Sequence, residues 1–328
     1  MRRFSAVAAM VETAVAVVAL VAAVPSVADA APAGSGTPIV ITEQGFDQID
    51  ILDATDAAFG AAKTLWTWKP TAANGFADLT TAWGLPDEAQ LRHLGTQQYL
   101  LTTDSYGLAA VVSYPQGTGS YWAANVGASN NPHSAELLPD GNVAVTASNG
   151  GFVRVYTASQ GNRSTTYAQF DLPGAHGVYY DPTTRLLWAV GNGDLVGLDV
   201  AGTPAAPTLG KVVDTPLPAG PTSYGHDVYP VRGNADRLWV TTVAGVFQYS
   251  LSAHTFTKDF AGQATIDRPD VKSIGDAPVT GQVVTSAIQP GNACPWCTDT
   301  VDLYRPQHAL ELHGGQIYKA RWWLDPRP

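Results

Sequence analysis

The chain has 328 residues and a formal net charge of −10, and only 14% of its residues are charged. Because lysine and arginine form no run that could follow a phosphate backbone, the composition excludes a general nucleic-acid binder. Glycine (32 residues) and proline (23 residues) recur between runs rich in valine, leucine, tyrosine, tryptophan and threonine, which predicts an all-β fold of short strands and tight turns.

The first 30 residues have the features of a secretory signal peptide. Arg2 and Arg3 precede the apolar stretch AVAVVALVAAV, and Ala28-Asp29-Ala30 resembles a small-residue cleavage site. Residues 31–36 then form a short flexible linker, and residues 37–328 form the folded domain. We therefore expect a secreted, extracellular protein that has no membrane span after signal cleavage.

Three histidines stand at the start of similar strand-turn-strand units. His133 in NPHSAELLPDGN, His176 in GAHGVYYDP and His226 in GHDVYP are separated by 43 and 50 residues, and Lys272 in DVKSIGD follows 46 residues later. Periods of roughly 40–50 residues with several strands in each unit are typical of β-propeller blades. The repeat therefore predicts a single β-propeller.

Six such units account for the domain. Strands within residues 38–53 and 63–70 belong to the first unit, residues 88–112 form the second, and the three histidines and Lys272 head the other four. The lone strand within residues 314–323 has no partner behind it, so we expect it to close the ring as the innermost strand of the first blade. The irregular sequence between residues 55 and 90 leaves a seventh blade open.

The innermost strand of every blade lines the central channel, so residues at strand starts meet at one mouth of the channel. The residues that we expect to converge there are His133, His176, His226, Arg92, Lys272, and Lys319 or Arg321. Histidines at equivalent positions in three blades point to a shared ligand. The alternative is a hydrogen-bonded plug that fixes the spacing of the blades.

The ordered blocks NPHSAELLPDGN, GAHGVYYDP, GHDVYP, VKSIGD and YKARWW resemble those of a secreted bacterial family known only as a domain of unknown function. The resemblance covers most of the chain after the signal, and the YKARWW block is its most specific part. It implies a β-propeller fold and no particular activity. The stretch CPWCTD at residues 294–299 departs from the family pattern, in which no cysteines are expected there.

Cys294 and Cys297 are the only cysteines in the chain. In an exported protein we expect them to form a disulfide that closes a tight loop. The alternatives are a redox-active pair, which requires a helix start in a βαβ unit, and an unpaired or metal-linked state, although a zinc site needs about four ligands.

The chemistry of the channel mouth favours an anion. Neutral imidazoles of His133, His176 and His226 could hold a divalent metal, but the surrounding cations would repel it, so we expect no required cofactor. An anionic glycan or small anionic ligand fits such a mouth better. Trp296 and Trp122 are candidates for stacking on a sugar ring, whereas Trp188 and Trp239 have the positions of core residues.

Two functions follow from this mouth. In the first, the protein is a secreted carbohydrate-active enzyme, a lyase acting on uronic-acid-containing glycans, in which arginine or lysine neutralises the carboxylate and histidine takes the α-proton. In the second, it is a non-catalytic extracellular propeller that binds an anionic glycan or a protein segment. Hydrolase, zinc-protease and nucleotide-binding motifs are absent, and we expect a monomer.

Overall fold

The computed structural model describes Met1 and residues 37–55, 63–277 and 280–327. The predicted signal peptide (residues 1–30) and linker (residues 31–36) lie outside the described residues, apart from Met1. The described residues form six four-stranded antiparallel sheets, each of which is one blade of a β-propeller. No helix in these segments is long and apolar enough to cross a membrane.

Five blades are continuous in sequence, and their strands follow one another outward from the axis. In blades 2 and 3 the strands are β4 (Pro86–Leu94), β5 (Gln97–Asp104), β6 (Leu108–Tyr114), β7 (Ser120–Asn125), β8 (Pro132–Leu137), β9 (Val143–Ala147), β10 (Phe152–Tyr156) and β11 (Tyr167–Asp171). In blades 4 and 5 they are β12 (Gly177–Asp181), β13 (Leu186–Val190), β14 (Asp194–Thr203), β15 (Ala206–Pro216), β16 (Gly225–Pro230), β17 (Arg237–Thr242), β18 (Gly245–Ser250) and β19 (Thr255–Thr257). In blade 6 they are β20 (Val271–Asp276), β21 (Val283–Ala287), β22 (Thr300–Tyr304) and β23 (His308–Glu311).

Blade 1 is built from both ends of the domain. Its outer strands are β1 (Ile39–Glu43), β2 (Gln48–Leu52) and β3 (Thr64–Trp68), and its innermost strand is β24 (Ile317–Trp322). β24 pairs antiparallel with β1, which places Ile39 opposite Trp322 and Ile41 opposite Ala320. The predicted closure is therefore confirmed, and the inner strands β24, β4, β8, β12, β16 and β20 contact one another in a closed ring.

The segment before β4, whose irregular sequence is compatible with a seventh blade, adds no sheet among the described residues. It contains a 3-10 turn (Thr80–Ala82), and its apolar side chains Phe76 and Leu79 are buried against blades 1 and 2. The other regular elements are the short helix α1 (Gln263–Ile266) and 3-10 turns at Ala128–Asn130, Ala158–Gln160 and Gly220–Thr222. The structure thus has six blades.

The apolar core is divided among clusters that lie within and between adjacent blades. Trp188 and Trp239 are buried in it, as the sequence predicts. The expectation for Trp122 is wrong: its side chain is fully buried, and its indole N–H donates to the carbonyl oxygen of Ser164 at 2.9 Å. This tryptophan packs between blades 2 and 3 and cannot stack on a ligand.

Candidate functional site

One residue at the start of each inner strand lies at the same mouth of the channel. These six mouth residues are Asp87, His133, His176, His226, Lys272 and Tyr318. The ring centroids of His133 and His176 are 4.4 Å apart, and those of His176 and His226 are 5.7 Å apart. The structure brings the three histidines and Lys272 together, as the sequence predicts. Lys272 Nζ lies 2.9 Å from His226 Nε2.

A β-bulge accounts for the shared direction of most mouth residues. In β4, β8, β16 and β20 the pairing register skips one residue, which is Asp87, His133, His226 or Lys272 in turn. In β24 two residues, Tyr318 and Lys319, stand opposite Thr42 alone. A bulged residue leaves the regular alternation of the strand and its side chain is re-aimed, so the repeated bulge turns these side chains to the axis.

The hydrogen bonds of the histidines fix their tautomers. Nδ1 of His176 lies 2.8 Å from the carbonyl oxygen of Gly174, and Nδ1 of His226 lies 3.3 Å from that of Val271. Because a carbonyl oxygen only accepts, Nδ1 carries the proton in both rings and Nε2 is an acceptor. In His226 this acceptor receives an N–H from Lys272.

Burial keeps the mouth histidines uncharged. It lowers the pKa of His133 to about 3, helped by the positive charges of Lys319 and Lys272. Burial also lowers the pKa values of His176 and His226 well below the usual range. The three rings are therefore neutral imidazoles at pH 7.

His133 contributes a donor that the protein does not use. Its Nε2 lies 3.2 Å from the amide nitrogen of Asn131, so Nδ1 carries the proton. Nδ1 is 3.4 Å from Asp87 Oδ1, in a geometry that forms no hydrogen bond, and it is buried without a partner. Such a donor is available to a ligand.

Lys272 is the cation at the mouth. Its pKa is lowered to about 8, chiefly by burial; the charge of Asp270 opposes this shift and that of Lys319 adds to it. Among the described residues no carboxylate forms an ion pair with its ammonium group. An uncompensated cation that is only 8% exposed is a strong attractor for an anion.

The next layer of the channel contains an ion-pair network instead. Glu88 lies 3.0 Å from Lys319 Nζ and 2.7 Å from Arg321 Nε, and Arg321 also contacts Asp227 at 2.8 Å. Burial alone would raise the pKa of Glu88, but these two cations hold that pKa below its usual range. Lys319 and Arg321 are thus neutralised by carboxylates, and they lie below the mouth rather than in it.

Arg92 belongs to the opposite half of the channel. Its guanidinium group donates to both carboxylate oxygens of Glu136, at 2.8 and 2.7 Å, and both side chains are fully buried. Arg327 in the C-terminal tail donates to the carbonyl oxygens of Leu137 and His93 nearby. The structure therefore does not bring Arg92 together with the mouth histidines.

A cavity of about 520 Å³ opens above the mouth. Its walls carry polar mouth residues and two exposed aromatic rings; the lining residues include Asp87, His133, Lys272, Tyr318, Tyr106 and Trp296. Tyr106 and Trp296 are 48% and 42% exposed. Both extend from loops between the second and third strands of their blades, which meet on this face of the propeller.

The cysteine loop positions Trp296. Cys294 and Cys297 form a disulfide, as predicted, with their Cα atoms 5.6 Å apart. The indole N–H of Trp296 donates to Gln44 Oε1 at 2.9 Å, and Gln44 in turn donates to the carbonyl oxygen of Pro86. The loop of blade 6 is thereby tied to blades 1 and 2 at the rim of the cavity.

Two mouth residues were missed by the sequence prediction. Asp87 is a buried carboxyl whose pKa burial raises well above the usual range. Tyr318 stacks on His133, and its hydroxyl forms no hydrogen bond with a described residue. The fixed spacing between a mouth residue and the rest of its strand could have identified Tyr318, which precedes Lys319 in the YKARWW block.

A metal role for the histidines gains no support from their arrangement. The described residues contain no group of three or more His, Cys, Asp or Glu side chains placed to hold a metal ion. The rings of His133 and His176 stack with an interplanar angle of 17°.

Two solved structures of distant proteins share this fold. A Bacteroides caccae protein of unknown function superimposes with a TM-score of 0.55 at 10% identity, covering 87% of this chain and 98% of its own. A streptogramin B lyase superimposes with a TM-score of 0.52 at 13% identity, covering 88% and 85%. At such identities the likeness concerns the fold alone.

The sequence has no match among curated proteins. Residues 5–327 match a family described as a family of unknown function, DUF6528. The match spans nearly the whole chain and bears out the resemblance seen in the sequence blocks. The chain belongs to this DUF6528 family.

Proposed function

We propose that the protein is a secreted propeller whose mouth cavity binds an acidic saccharide, such as a uronate residue of a glycan. The observation that carries this proposal is the ammonium group of Lys272, which lines the cavity without a carboxylate partner among the described residues. The cations below it, Lys319 and Arg321, are already neutralised. A ligand carboxylate would complete the charge balance at Lys272.

The walls of the cavity suit a sugar. The exposed rings of Trp296 and Tyr106 provide apolar faces, and the unpartnered N–H of His133 and hydroxyl of Tyr318 provide polar contacts. The volume of about 520 Å³ lies in the ordinary range for small-ligand sites. One or two sugar residues are therefore the expected occupants.

Export is supported by the sequence of the first 30 residues and by the disulfide. The Cys294–Cys297 bond is the state that cysteines adopt in an oxidising compartment, whereas cytosolic thiols stay reduced. An extracellular location would also bring the cavity into contact with polysaccharides.

A lyase is the second candidate, and Tyr318 favours it. β-Elimination from a uronate requires a neutralised carboxylate, a base for the α-proton and an acid for the leaving oxygen. Lys272 suits the first task, and Tyr318, whose phenol burial keeps protonated, suits the last. The histidines are weaker candidates for a base that takes the weakly acidic α-proton of a uronate, because burial has lowered their pKa values far below neutral pH. Binding is therefore the better supported function.

The decisive experiment compares acidic and neutral oligosaccharides in a binding screen of the secreted protein. We expect uronate-containing ligands to bind and their neutral counterparts to bind at least about tenfold more weakly, since a charge-assisted hydrogen bond contributes about 1.5–3 kcal/mol. Affinity should fall as pH rises through about 8, where Lys272 loses its proton. Equal affinity for neutral and acidic ligands would refute the proposal.

Lys272→Met removes the charge and keeps the length of the side chain. We expect it to abolish the preference for acidic ligands, whereas Lys211→Met, a change at an exposed lysine paired with Asp214, leaves binding unchanged. Turnover is assayed on the same ligands by the ultraviolet absorbance of an unsaturated sugar product. If Tyr318→Phe binds normally and the wild type forms product that the variant does not, the lyase is correct; binding without product in the wild type identifies a binding protein.

A further inference from the structure

Lys272 presents a primary amine to the cavity in surroundings that an ordinary surface lysine lacks. Its side chain is only 8% exposed, and the exposed part lines the cavity. Nζ is hydrogen-bonded to Nε2 of His226 at 2.9 Å, and the tautomer of His226 makes Nε2 an acceptor. A proton acceptor therefore stands in direct contact with the amine.

Charged and titratable groups from all the neighbouring strands face Lys272: the mouth residues Asp87, His133, His176 and Tyr318, besides Lys319, Asp270 and His226. Lys319 on β24 disfavours the ammonium form, Asp270 before β20 favours it, and His226 on β16 is neutral. Burial is the largest influence and also disfavours the charge, so the pKa of Lys272 is lowered to about 8. At pH 7 about a tenth of Lys272 is therefore the nucleophilic amine.

We propose that Lys272 is a reactive amine that forms an imine with a small aldehyde or ketone entering the cavity, with His226 accepting the proton that the amine loses. This chemistry uses the same cavity as saccharide binding but does not rest on it, because its ligand is a carbonyl compound and not an anion. Desolvated lysines are the ones that proteins use for Schiff bases.

The groups at the mouth complete the proton balance of the reaction. The lone pair of Nζ forms a C–N bond to the carbonyl carbon, and the carbonyl oxygen takes a proton from the phenol of Tyr318, which lines the same cavity. The nitrogen passes one proton to Nε2 of His226, and that proton leaves with the hydroxyl group as water when the C=N bond forms. The last N–H proton returns to Tyr318, so amine and carbonyl give imine and water with no other reactant.

Reductive trapping tests this proposal in the intact protein. The protein is incubated with glycolaldehyde and cyanoborohydride, which reduces the imine to a stable secondary amine, and the modified lysines are mapped by mass spectrometry between pH 7 and 9. Lys211, which is exposed in β15, serves as the internal control. Lys272 should be labelled at least about tenfold faster than Lys211 at pH 7, because the lowering of the pKa of Lys272 from the ordinary lysine value to about 8 raises its amine fraction more than about 100-fold, while lower nucleophilicity and access offset part of this gain.

The pH profile gives an independent readout. Labelling of Lys272 should level off above about pH 8, where its ammonium group has lost its proton. Labelling of Lys272 that is no faster than that of Lys211, or that rises without a plateau, would overturn the proposal.

His226→Gln tests the role of the neighbouring ring. Glutamine retains a hydrogen-bond acceptor but cannot take up a proton, so labelling of Lys272 should slow several-fold and labelling of Lys211 should stay constant. An unchanged rate at Lys272 would remove His226 from the proposal. Since no saccharide is present, these results are independent of whether the acidic-saccharide proposal holds.

Discussion

At the scale of single residues, the neutral histidines link the mouth to the pH dependence of stability. Their folded-state pKa values lie below the unfolded value of about 6.5. As pH falls below 6.5 the unfolded chain takes up protons that the folded chain does not, so stability is fully present above that pH and is lost as pH decreases. Each such histidine should lower the free energy of unfolding by about 1.4 kcal/mol per pH unit well below pH 6.

Urea unfolding at pH 7.0, 5.5 and 4.5 measures this slope. His133→Gln should make the slope of unfolding free energy against pH shallower by the contribution of one histidine. His313→Gln, a change at a side chain that is 99% exposed, should leave this slope unchanged. A slope that is the same for the wild type and His133→Gln would show that His133 does not stay neutral in the folded protein.

The buried carboxylates of the channel predict a large loss when their cation is removed. Arg321→Met leaves Glu88 and Asp227 with Lys319 as their one remaining cation among the described residues. Breaking a buried ion pair on one side costs about 3–5 kcal/mol. Lys211→Met, which breaks an exposed pair with Asp214, should cost less than about 1 kcal/mol. Similar unfolding free energies for the two variants would contradict the network.

The sequence predicts the residues of the mouth only in part. The period of the repeat aligns His133, His176, His226 and Lys272, because equivalent positions in successive blades have equivalent places around the axis. It does not reveal ion pairs between blades, such as Arg321 with Glu88, which are 233 residues apart. For that reason the sequence predicts a strongly cationic mouth. In the structure Lys272 is the cation of the mouth, and the cations below it, Lys319 and Arg321, are neutralised by carboxylates.

At the scale of elements, the bulge at the start of the inner strands decides which side chain faces the ligand. In β24 the sequence predicts Lys319 or Arg321 at the mouth, and period-two alternation does not single out Tyr318. The bulge at Tyr318 and Lys319 makes the difference. Bulges depend on the pairing of two strands, so a pattern within one strand does not predict them.

The cysteine loop is an element whose role is local. Its bridge closes a loop of few residues, and the entropic stabilisation of so short a loop is about 2 kcal/mol at most. The double variant Cys294→Ser, Cys297→Ser should therefore unfold cooperatively with a modest loss of stability. Its affinity for an acidic saccharide should fall, because Trp296 is no longer held by the bridge.

Thermal melts and binding isotherms of this variant, beside the wild type under oxidising and reducing conditions, check both parts. The reduced wild type should behave as the serine variant does. Loss of cooperative unfolding in the serine variant would mean that the disulfide stabilises the propeller as a whole and not the loop.

At the scale of the whole molecule, the fold was predictable because propeller blades are local units. Each of five blades is continuous in sequence, so turns, alternation and the repeat period predict its strands. The closure of blade 1 was predictable because a lone C-terminal strand needs a partner. The position of the C-terminal tail was not predictable. Arg327 and Asp325 cross the lower end of the channel through contacts to His93, which no local sequence pattern predicts.

The closure yields the strongest test of the architecture. Truncation after Pro306 removes β23 and β24, which exposes the inner edge of β1 and removes Ile317, Ala320 and Trp322 from the core between blades 6 and 1. It also removes both cations that neutralise Glu88, so the truncated chain loses apolar burial and gains an unpaired buried charge. We expect no cooperative thermal transition.

Truncation after Pro326 is the matched control, because it removes the hydrogen bonds of Arg327 and leaves β24 in place. This shorter truncation should melt cooperatively at a temperature lower by a few degrees, as expected for the loss of a few hydrogen bonds. Circular dichroism melts of the two proteins separate the role of the closing strand from that of the tail. If the chain ending at Pro306 melted as the control does, pairing of β24 with β1 would not be what holds the ring together.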